Sequence, residues 1–309
     1  MGVAVGSVGL PNPVMTASGT AGHGAELGRS FPLGDLGAVV VKSLSAGPWA
    51  GNPAPRVHDT PAGMLNSVGL QGPGVEAWLE DDLPALLATG ARVVASIWGF
   101  TVEDYEKAAA MLADAPPRVV AVEVNLSCPN VEERRKMFAH SPAAAADAIA
   151  ATAGAGRPRW AKLSPNVTDV TEIAGAVLDA GAEAVTLVNT VMGMAIDTTT
   201  RRPALGSGER GGGLSGAAIH PVAVRAVFDV RAAFPSAPIV GVGGVTTGED
   251  AVELLLAGAN AVQVGTATFA DPRAPARVLE ELRRWCRRHH VADVNELIGA
   301  AHDHNSRRS

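Results

Sequence analysis

Two asparagines, a serine and a cysteine fall within the seven residues VNLSCPN (124–130), directly after the apolar run VVAVE. A thiolate can act as a general base on an acidic C–H, and an asparagine amide both donates and accepts hydrogen bonds. The segment therefore suits a flat, polar ligand held beside a base, with Cys128 as the candidate catalytic residue. Two other interpretations stay open, because a lone cysteine is more often a small buried hydrophobe and Asn130 after Pro129 also suits a turn.

Lysines and glycines stand at the ends of other apolar runs. Lys42 and Lys162 each close such a run, and the pairs Gly243–Gly244 and Gly265–Thr266 close two later ones, with GGGLSG at 211–216 before them. Glycine-rich loops bind phosphate through backbone N–H groups, and a fixed cation stabilises negative charge on a ring. The lysines could simply extend to water, but two of them at equivalent strand ends would face one cavity. Together with the base, this pattern indicates a phosphate-bearing planar cofactor and dehydrogenation across a C–C bond.

The composition excludes several classes of function. The chain has 309 residues, 47% hydrophobic and 18% charged, with 35 glycines, two cysteines and a net charge of −6. The negative charge argues against nucleic acid as the main partner, and we interpret the basic cluster RRWCRRHH (283–290) as the solvated face of a final helix. The sequence has neither a membrane-spanning run nor a signal-peptide pattern, two cysteines make no disulfide framework, and the histidines lack metal-ligand spacing. We expect a cytoplasmic protein that binds no metal and no membrane.

Apolar, β-branched runs alternate with stretches of helical period along the chain. Candidate strands lie at 13–18, 36–44, 91–98, 119–127, 159–164, 184–189, 238–243 and 261–266. Candidate helices lie near 75–89, 101–114, 141–153, 168–180, 219–234, 247–257 and 275–289. Eight such repeats predict an α/β protein, a closed (β/α)8 TIM barrel of parallel strands. We expect a single domain over 1–302 and a disordered tail at 303–309.

Barrel strands would bring the polar residues to one face. Barrel active sites lie at the carboxyl ends of the strands, where the seventh and eighth loops commonly bind phosphate. Two connections, 45–74 and 190–218, are too long for ordinary turns, and long barrel loops are usually functional. The sequence therefore predicts one site at this end of the barrel.

A series of motifs in chain order resembles the class 1 dihydroorotate dehydrogenases over about residues 3 to 300. The motifs are NPVMTASGT (12–20), VVKSLS (40–45), GNPAPR (51–56), MLNSVGLQGPG (64–74), VNLSCPN, KLSPN (162–166), LVNT (187–190), GGLSGAAIHP (212–221), GVGGV (241–245) and AVQVGTATF (261–269). The resemblance implies an FMN enzyme that oxidises dihydroorotate to orotate in de novo pyrimidine biosynthesis. In this family the motif cysteine, here Cys128, takes the C5 proton while the C6 hydride goes to flavin N5.

The resemblance also implies which residues hold the two ligands. For FMN they are Ser18, Lys42, Ser43, Ser96, Asn125, Lys162, Val188, Gly216, Gly243, Gly244, Gly265 and Thr266. For the substrate they are Lys42, Asn66, Ser67, Val68, Gly69, Leu70, Asn125, Asn130, Asn189 and Thr190.

The resemblance is strongest to the NAD-linked subclass. A cysteine base separates the chain from the membrane-bound, quinone-reducing class, which uses serine, and NPVMTASGT and GLQGPG are less like the fumarate-reducing subclass. NAD-linked enzymes pair the barrel with a separate subunit that carries FAD and a [2Fe–2S] cluster. This chain has no cysteine quartet for such a cluster, so we expect an iron–sulfur FAD partner subunit, and we also expect a homodimer.

Two departures from the family pattern leave alternatives open. Gly72 stands where the NAD-linked subclass usually has asparagine, which is a minor change. The segment VEERRKMFAHSP (131–142), with Arg134, Arg135 and Lys136, replaces an expected glycine-rich lid. It indicates either surface drift or a changed lid, partner contact or substrate. The alternative substrates are another dihydropyrimidine, such as dihydrouracil, or a substrate of a specialised pathway. A non-catalytic flavin-binding barrel is a further alternative, against which the retained cysteine, lysines and asparagines argue.

Overall fold

Eight parallel strands form the centre of the molecule. The computed structural model describes residues 1–127 and 138–307. Within them the strands are β1 (Val14–Thr16), β2 (Val39–Val40), β3 (Val93–Ile97), β4 (Val119–Asn125), β5 (Arg159–Lys162), β6 (Ala184–Leu187), β7 (Ile239–Val242) and β8 (Ala261–Val264). Their apolar side chains are buried on both faces, as in other parallel sheets.

The sheet closes on itself. Each strand pairs with its neighbour in chain order, and β8 pairs with β1. Between β1 and β2 the closure is a single bridge, Met15 to Ala38, with the Gly37 N–H donating to the Val14 carbonyl oxygen at 2.8 Å. The predicted (β/α)8 barrel is confirmed.

Helices cover the outside of the barrel. In the described residues they are α1 (Val75–Ala77), α2 (Leu83–Ala88), α3 (Val102–Ala110), α4 (Pro142–Ala151), α5 (Val170–Asp179), α6 (His220–Ala233), α7 (Gly248–Ala257), α8 (Ala267–Ala270) and α9 (Ala274–Arg288). The predicted helices match α1–α7 and α9 within a few residues, except that a π-helical turn, Trp78–Asp82, divides the first one. A 3₁₀ helix spans Ala300–Arg307.

The two long connections fold together. The segments Val57–Thr60, Gly63–Asn66, Val191–Gly193 and Gly212–Ser215 form an antiparallel sheet of four strands. This sheet draws on both connections and stands at the carboxyl end of the barrel. The sequence patterns did not predict it, nor the N-terminal hairpin Val3–Val5 with Val8–Leu10.

No helix in the described part of the chain has the length and apolar character that a membrane crossing requires. The division into a barrel at 1–302 and a disordered tail at 303–309 stays a prediction.

Candidate functional site

A cavity of about 830 Å³ opens at the carboxyl ends of the strands. This volume lies within the range of roughly 300–1,000 Å³ that is usual for small-molecule sites. Its walls include most of the residues proposed from the sequence: Ser18, Lys42, Ser43, Asn66, Ser67, Val68, Gly69, Leu70, Asn125, Lys162, Val188, Asn189, Thr190, Gly216, Gly243, Gly244, Gly265 and Thr266. The barrel and the antiparallel sheet thus bring residues that are distant in sequence to one site.

Three of the proposed residues do not line the described wall. Ser96 lies behind it, fully buried on β3, with its hydroxyl oxygen 2.9 Å from that of Ser43. Cys128 and Asn130 lie outside the described residues, as does most of the divergent segment 131–142.

Amide and hydroxyl groups form a connected chain across the cavity floor. The Asn125 amide donates to the Ser43 hydroxyl at 3.3 Å, and the Asn189 amide donates to Asn125 Oδ1 at 3.1 Å. The Ser127 N–H also donates to Asn125 Oδ1. Each contact fixes the orientation of the next amide, so the set presents donors and acceptors in defined directions.

Lys162 enters the cavity from inside the barrel, where its charge is compensated. Its side chain is 6% exposed, and Nζ lies 3.1 Å from Ser18 Oγ, 3.4 Å from Glu123 Oε1 and 3.3 Å from Gln263 Oε1. The Gln263 amide also donates to Glu123 Oε2 at 2.6 Å. Glu123 and Gln263 are fully buried. A buried ammonium with a carboxylate partner remains charged without the full desolvation cost of a lone ion.

Glu123 and Gln263 were not predicted from the sequence as site residues. The available signal was a polar residue inside an otherwise apolar strand, in VVAVEVN and AVQV. A strand that is buried on both faces can hold a carboxylate only if the carboxylate is paired.

Lys42 has a different environment. Its ammonium has no hydrogen-bond or ion-pair partner within the described ranges 1–127 and 138–307. Burial lowers the pKa of Lys42, and the positive charge of Arg56 lowers it further. Arg56 itself stabilises the connection 45–74 by donating to the carbonyl oxygens of Asn52 and Ala50. An uncompensated cation on the cavity wall can bind an anionic group of a ligand.

The glycine pair after β7 forms a cradle. Gly243 and Gly244 have φ of 141° and 68°, which side chains rarely adopt, and a Cβ on Gly243 would lie 2.7 Å from the Ala223 Cβ. The backbone N–H groups of Gly244, Val245 and Thr266 donate to no acceptor in the described part of the chain. Such N–H groups beside a cavity suit a phosphate.

The donor set therefore fits FMN. The cradle offers N–H groups to a phosphate, and Lys162 offers a cation to a ring. Ser67 and Ser127, both on the cavity wall, have buried hydroxyl oxygens with no hydrogen-bond partner among the described residues. These hydroxyl groups remain available to a second, polar ligand.

Asn166 belongs to the KLSPN motif but was not predicted as a site residue. Its amide donates to the Ser164 hydroxyl and to the Thr190 carbonyl oxygen, both at 2.9 Å, and its Oδ1 accepts from the Met192 N–H at 2.8 Å. Asn166 lines the cavity and joins the end of β5 to the antiparallel sheet. It thereby holds the connection after β6 over the cavity.

Gly72 has a structural explanation. A Cβ at this position would lie 3.3 Å from His23 Nε2, which is buried and has no hydrogen-bond partner among the described residues. Gly72 also pairs with Trp49 through two backbone hydrogen bonds, at 2.9 and 3.0 Å. A larger residue at 72 would require His23 to move.

These features define a barrel enzyme that can hold a planar, phosphate-bearing ligand beside a second polar ligand. The features are the closed barrel, the glycine cradle, the buried lysine and the amide-lined floor. A sequence profile named "Dihydroorotate dehydrogenase" matches residues 2–285. The chain belongs to the dihydroorotate dehydrogenase family.

Individual relatives agree with this result. The chain is 47% identical over 301 residues to a protein from Geobacter sp. (strain M21), covering 97% of each chain. It is 46% identical to one from Trichlorobacter lovleyi, covering 97% of this chain and 98% of the relative, and 48% identical to one from Desulforudis audaxviator, covering 97% of each. All three relatives are named "Dihydroorotate dehydrogenase B (NAD(+)), catalytic subunit". The family predicted from the motifs is confirmed.

Proposed function

We propose that this chain is the catalytic subunit of an NAD-linked dihydroorotate dehydrogenase, which oxidises dihydroorotate to orotate in pyrimidine biosynthesis. The observation that carries the proposal is the family match over residues 2–285, together with relatives of this name that cover 97% of the chain. The cavity supports the proposal, because its wall combines donors for a phosphate, a cation for a ring and amides for a polar substrate.

FMN is the proposed cofactor. The N–H groups of the Gly243–Gly244 cradle and of Thr266 would hold its phosphate, while Lys162 and Ser18 would contact its ring. Bound there, FMN would supply the hydride acceptor for the reaction. Glu123 compensates the Lys162 ammonium at 3.4 Å, and this cation would stabilise negative charge that develops nearby.

The substrate would lie on the amide-lined floor. Dihydroorotate is an anion with two ring amides, so the Lys42 ammonium would bind its carboxylate, and Asn66, Asn125 and Asn189 would bind its polar edges. Binding of the anion would also offset the desolvation of Lys42.

Cys128 is the proposed general base. It would take the proton from C5 as the hydride leaves C6, so that the C5–C6 double bond of orotate forms. The residue lies outside the described part of the chain, and its assignment rests on the VNLSCPN motif and on Asn125 and Ser127, which line the cavity just before it.

A partner subunit would receive the electrons. The name "catalytic subunit" of the relatives supports a second subunit, and the chain has too few cysteines to hold an iron–sulfur cluster by itself. The proposed partner carries FAD and a [2Fe–2S] cluster and reduces NAD. We also propose that the barrel forms a homodimer.

The proposal is tested by dye-linked turnover with dihydroorotate and with dihydrouracil, which lacks the carboxylate. We expect turnover of dihydroorotate, a strong preference over dihydrouracil, and a loss on the order of 10²–10⁴-fold in Cys128→Ala, which should still bind FMN and orotate. Cys128→Ser should retain some activity, with its pH optimum moved upward, because an alcohol is a poorer base than a thiol. Preference for dihydrouracil would contradict the substrate, and an undiminished Cys128→Ala would contradict the base.

A further inference from the structure

His220, the first residue of α6, lies directly behind the Gly243–Gly244 cradle. Its ring Nδ1 is 2.8 Å from the Gly243 carbonyl oxygen. Its Nε2 is 3.1 Å from Glu253 Oε2 and 4.0 Å from Asp250 Oδ1, and the side chain is only 11% exposed. The ring therefore bridges the cradle and the helix α7.

Both ring nitrogens of His220 face acceptors. A carbonyl oxygen and a carboxylate oxygen cannot donate a hydrogen bond, and a neutral imidazole carries a single N–H. A neutral ring would therefore direct a lone pair at one of the two oxygens. Only the imidazolium, which donates from both nitrogens, satisfies both contacts.

The contact with Gly243 controls the direction of the cradle. In a trans peptide the N–H group points opposite to the carbonyl group. Because His220 holds the Gly243 carbonyl oxygen on the side away from the cavity, the Gly244 N–H is directed to the other side. A Cβ on Gly244 would lie 2.6 Å from the His220 Cβ, so the cradle packs directly on this residue.

Two carboxylates lie behind the cradle. Asp250 is held in place because it accepts hydrogen bonds from the N–H groups of Thr246 and Thr247, each at 2.8 Å. Burial raises the pKa of Asp250, but these hydrogen bonds and the charge of His220 outweigh it, so the pKa is lowered overall. Asp250 and Glu253 are the carboxylates within 4.0 Å of the ring in the described residues, and the neighbouring segments 217–219 and 243–245 carry no titratable side chain.

We propose that His220 is a positioning residue for the cofactor phosphate. As an imidazolium it fixes the Gly243–Gly244 peptide and neutralises the carboxylates that would otherwise repel the phosphate. Phosphate binding is therefore coupled to the charge of His220 and weakens when the ring loses its proton. The inference rests on the proposed FMN site.

The test measures the affinity of the full-length apoprotein for FMN, by flavin fluorescence, from mildly acidic to alkaline pH. The probe riboflavin has the same ring system without the phosphate. His220→Gln should bind FMN about tenfold more weakly at mildly acidic pH, the effect expected for loss of one charge-assisted contact, and its affinity should approach that of the wild type at alkaline pH. Titration of the phosphate itself is common to both proteins and cancels in the ratio. Riboflavin should bind both proteins equally.

Two further variants separate the charge of His220 from its shape. His220→Lys retains a cation and should restore FMN affinity. Its affinity should not fall to that of His220→Gln at alkaline pH, as the affinity of the wild type does. Glu253→Gln removes the carboxylate that stabilises the imidazolium, so the pH dependence should move to lower pH. Glu249→Gln is the matched control, because it removes the same charge from an exposed position one turn earlier on α7 and should change nothing.

The outcomes are distinct. If the wild type binds FMN but His220→Gln binds it equally well at every pH, or loses riboflavin to the same extent, the role of His220 is wrong and the proposed function stands. If the folded wild-type apoprotein binds neither FMN nor riboflavin, the proposed function is wrong, and the inference falls with it.

Discussion

Lys162 and Glu123 form the most deeply buried ion pair in the described structure, at 3.4 Å with side chains 6% and 0% exposed. Such a pair adds little net stability, because desolvation offsets most of the attraction. Its value at this position is that the carboxylate compensates a cation beneath the cavity. Gln263 completes the arrangement by contacting both partners.

Removal of the carboxylate alone should be costly. Glu123→Leu leaves a buried ammonium without its counter-ion, and we expect a loss of about 3–5 kcal/mol in the free energy of unfolding. The double variant Glu123→Leu/Lys162→Met removes both charges and should be less destabilised than the single one. Urea unfolding of the apoproteins measures both values, and a single variant as stable as the double one would show that the pair does not hold the charge.

The lowered pKa of Lys42 predicts that the protein takes up a proton when it binds an anionic ligand. Burial and then Arg56 lower the pKa of Lys42 from the ordinary value of 10.5. The charged form of Lys42 therefore destabilises the folded state, and this loss of stability decreases as the pH rises through the lowered pKa. An anion at this site favours the charged form and raises the pKa again. Orotate should therefore bind with uptake of a proton at alkaline pH, between the lowered value and 10.5.

Calorimetry in buffers of different ionisation enthalpy measures this uptake. Lys42→Arg is the control, because a guanidinium keeps the charge and does not titrate in this range. It should bind orotate without proton uptake. Equal uptake by the variant, or none by the wild type, would assign the proton to another group.

At the scale of elements, the sequence predicted the barrel well and the antiparallel sheet at its carboxyl end poorly. The period and apolar content of each strand and helix are local properties, so the barrel strands and most helices could be found from them. The sheet that covers the cavity pairs Gly63–Asn66 with Gly212–Ser215, about 150 residues apart. No local period encodes such a pairing. The resemblance likewise implied Lys162 but not its partners Glu123 and Gln263, which lie on other strands and show in the sequence only as polar residues inside apolar runs.

The close approach within this sheet can be tested at Gly63. A Cβ there would lie 1.9 Å from the Ser215 carbonyl oxygen, whereas a Cβ on Gly47, in the same connection, meets nothing within 4 Å. Gly63→Ala should lose about 1–3 kcal/mol of stability and bind orotate more weakly, because the sheet lines the cavity. Gly47→Ala should match the wild type in thermal unfolding and orotate affinity, and equal behaviour of the two variants would mean that the sheet adapts without cost.

At the scale of the whole molecule, the proposed function leaves the chain without a final electron acceptor. Its two cysteines, Cys128 and Cys286, cannot hold an iron–sulfur cluster, which needs four such ligands. The purified chain should therefore reduce artificial dyes with dihydroorotate and be almost inert with NAD, until an iron–sulfur FAD subunit is added. NAD-dependent turnover by the chain alone would contradict the need for a partner, and rapid turnover with fumarate would assign the chain to the other subclass.

The central claim is that this barrel transfers electrons from dihydroorotate to its own FMN. Anaerobic mixing of the FMN-loaded chain with dihydroorotate, followed by the visible absorbance of the flavin, tests the claim without any acceptor or partner. We predict that the flavin is bleached and that one orotate appears for each flavin reduced. A flavin that stays oxidised with dihydroorotate, in a chain that retains FMN and binds orotate, would contradict the account.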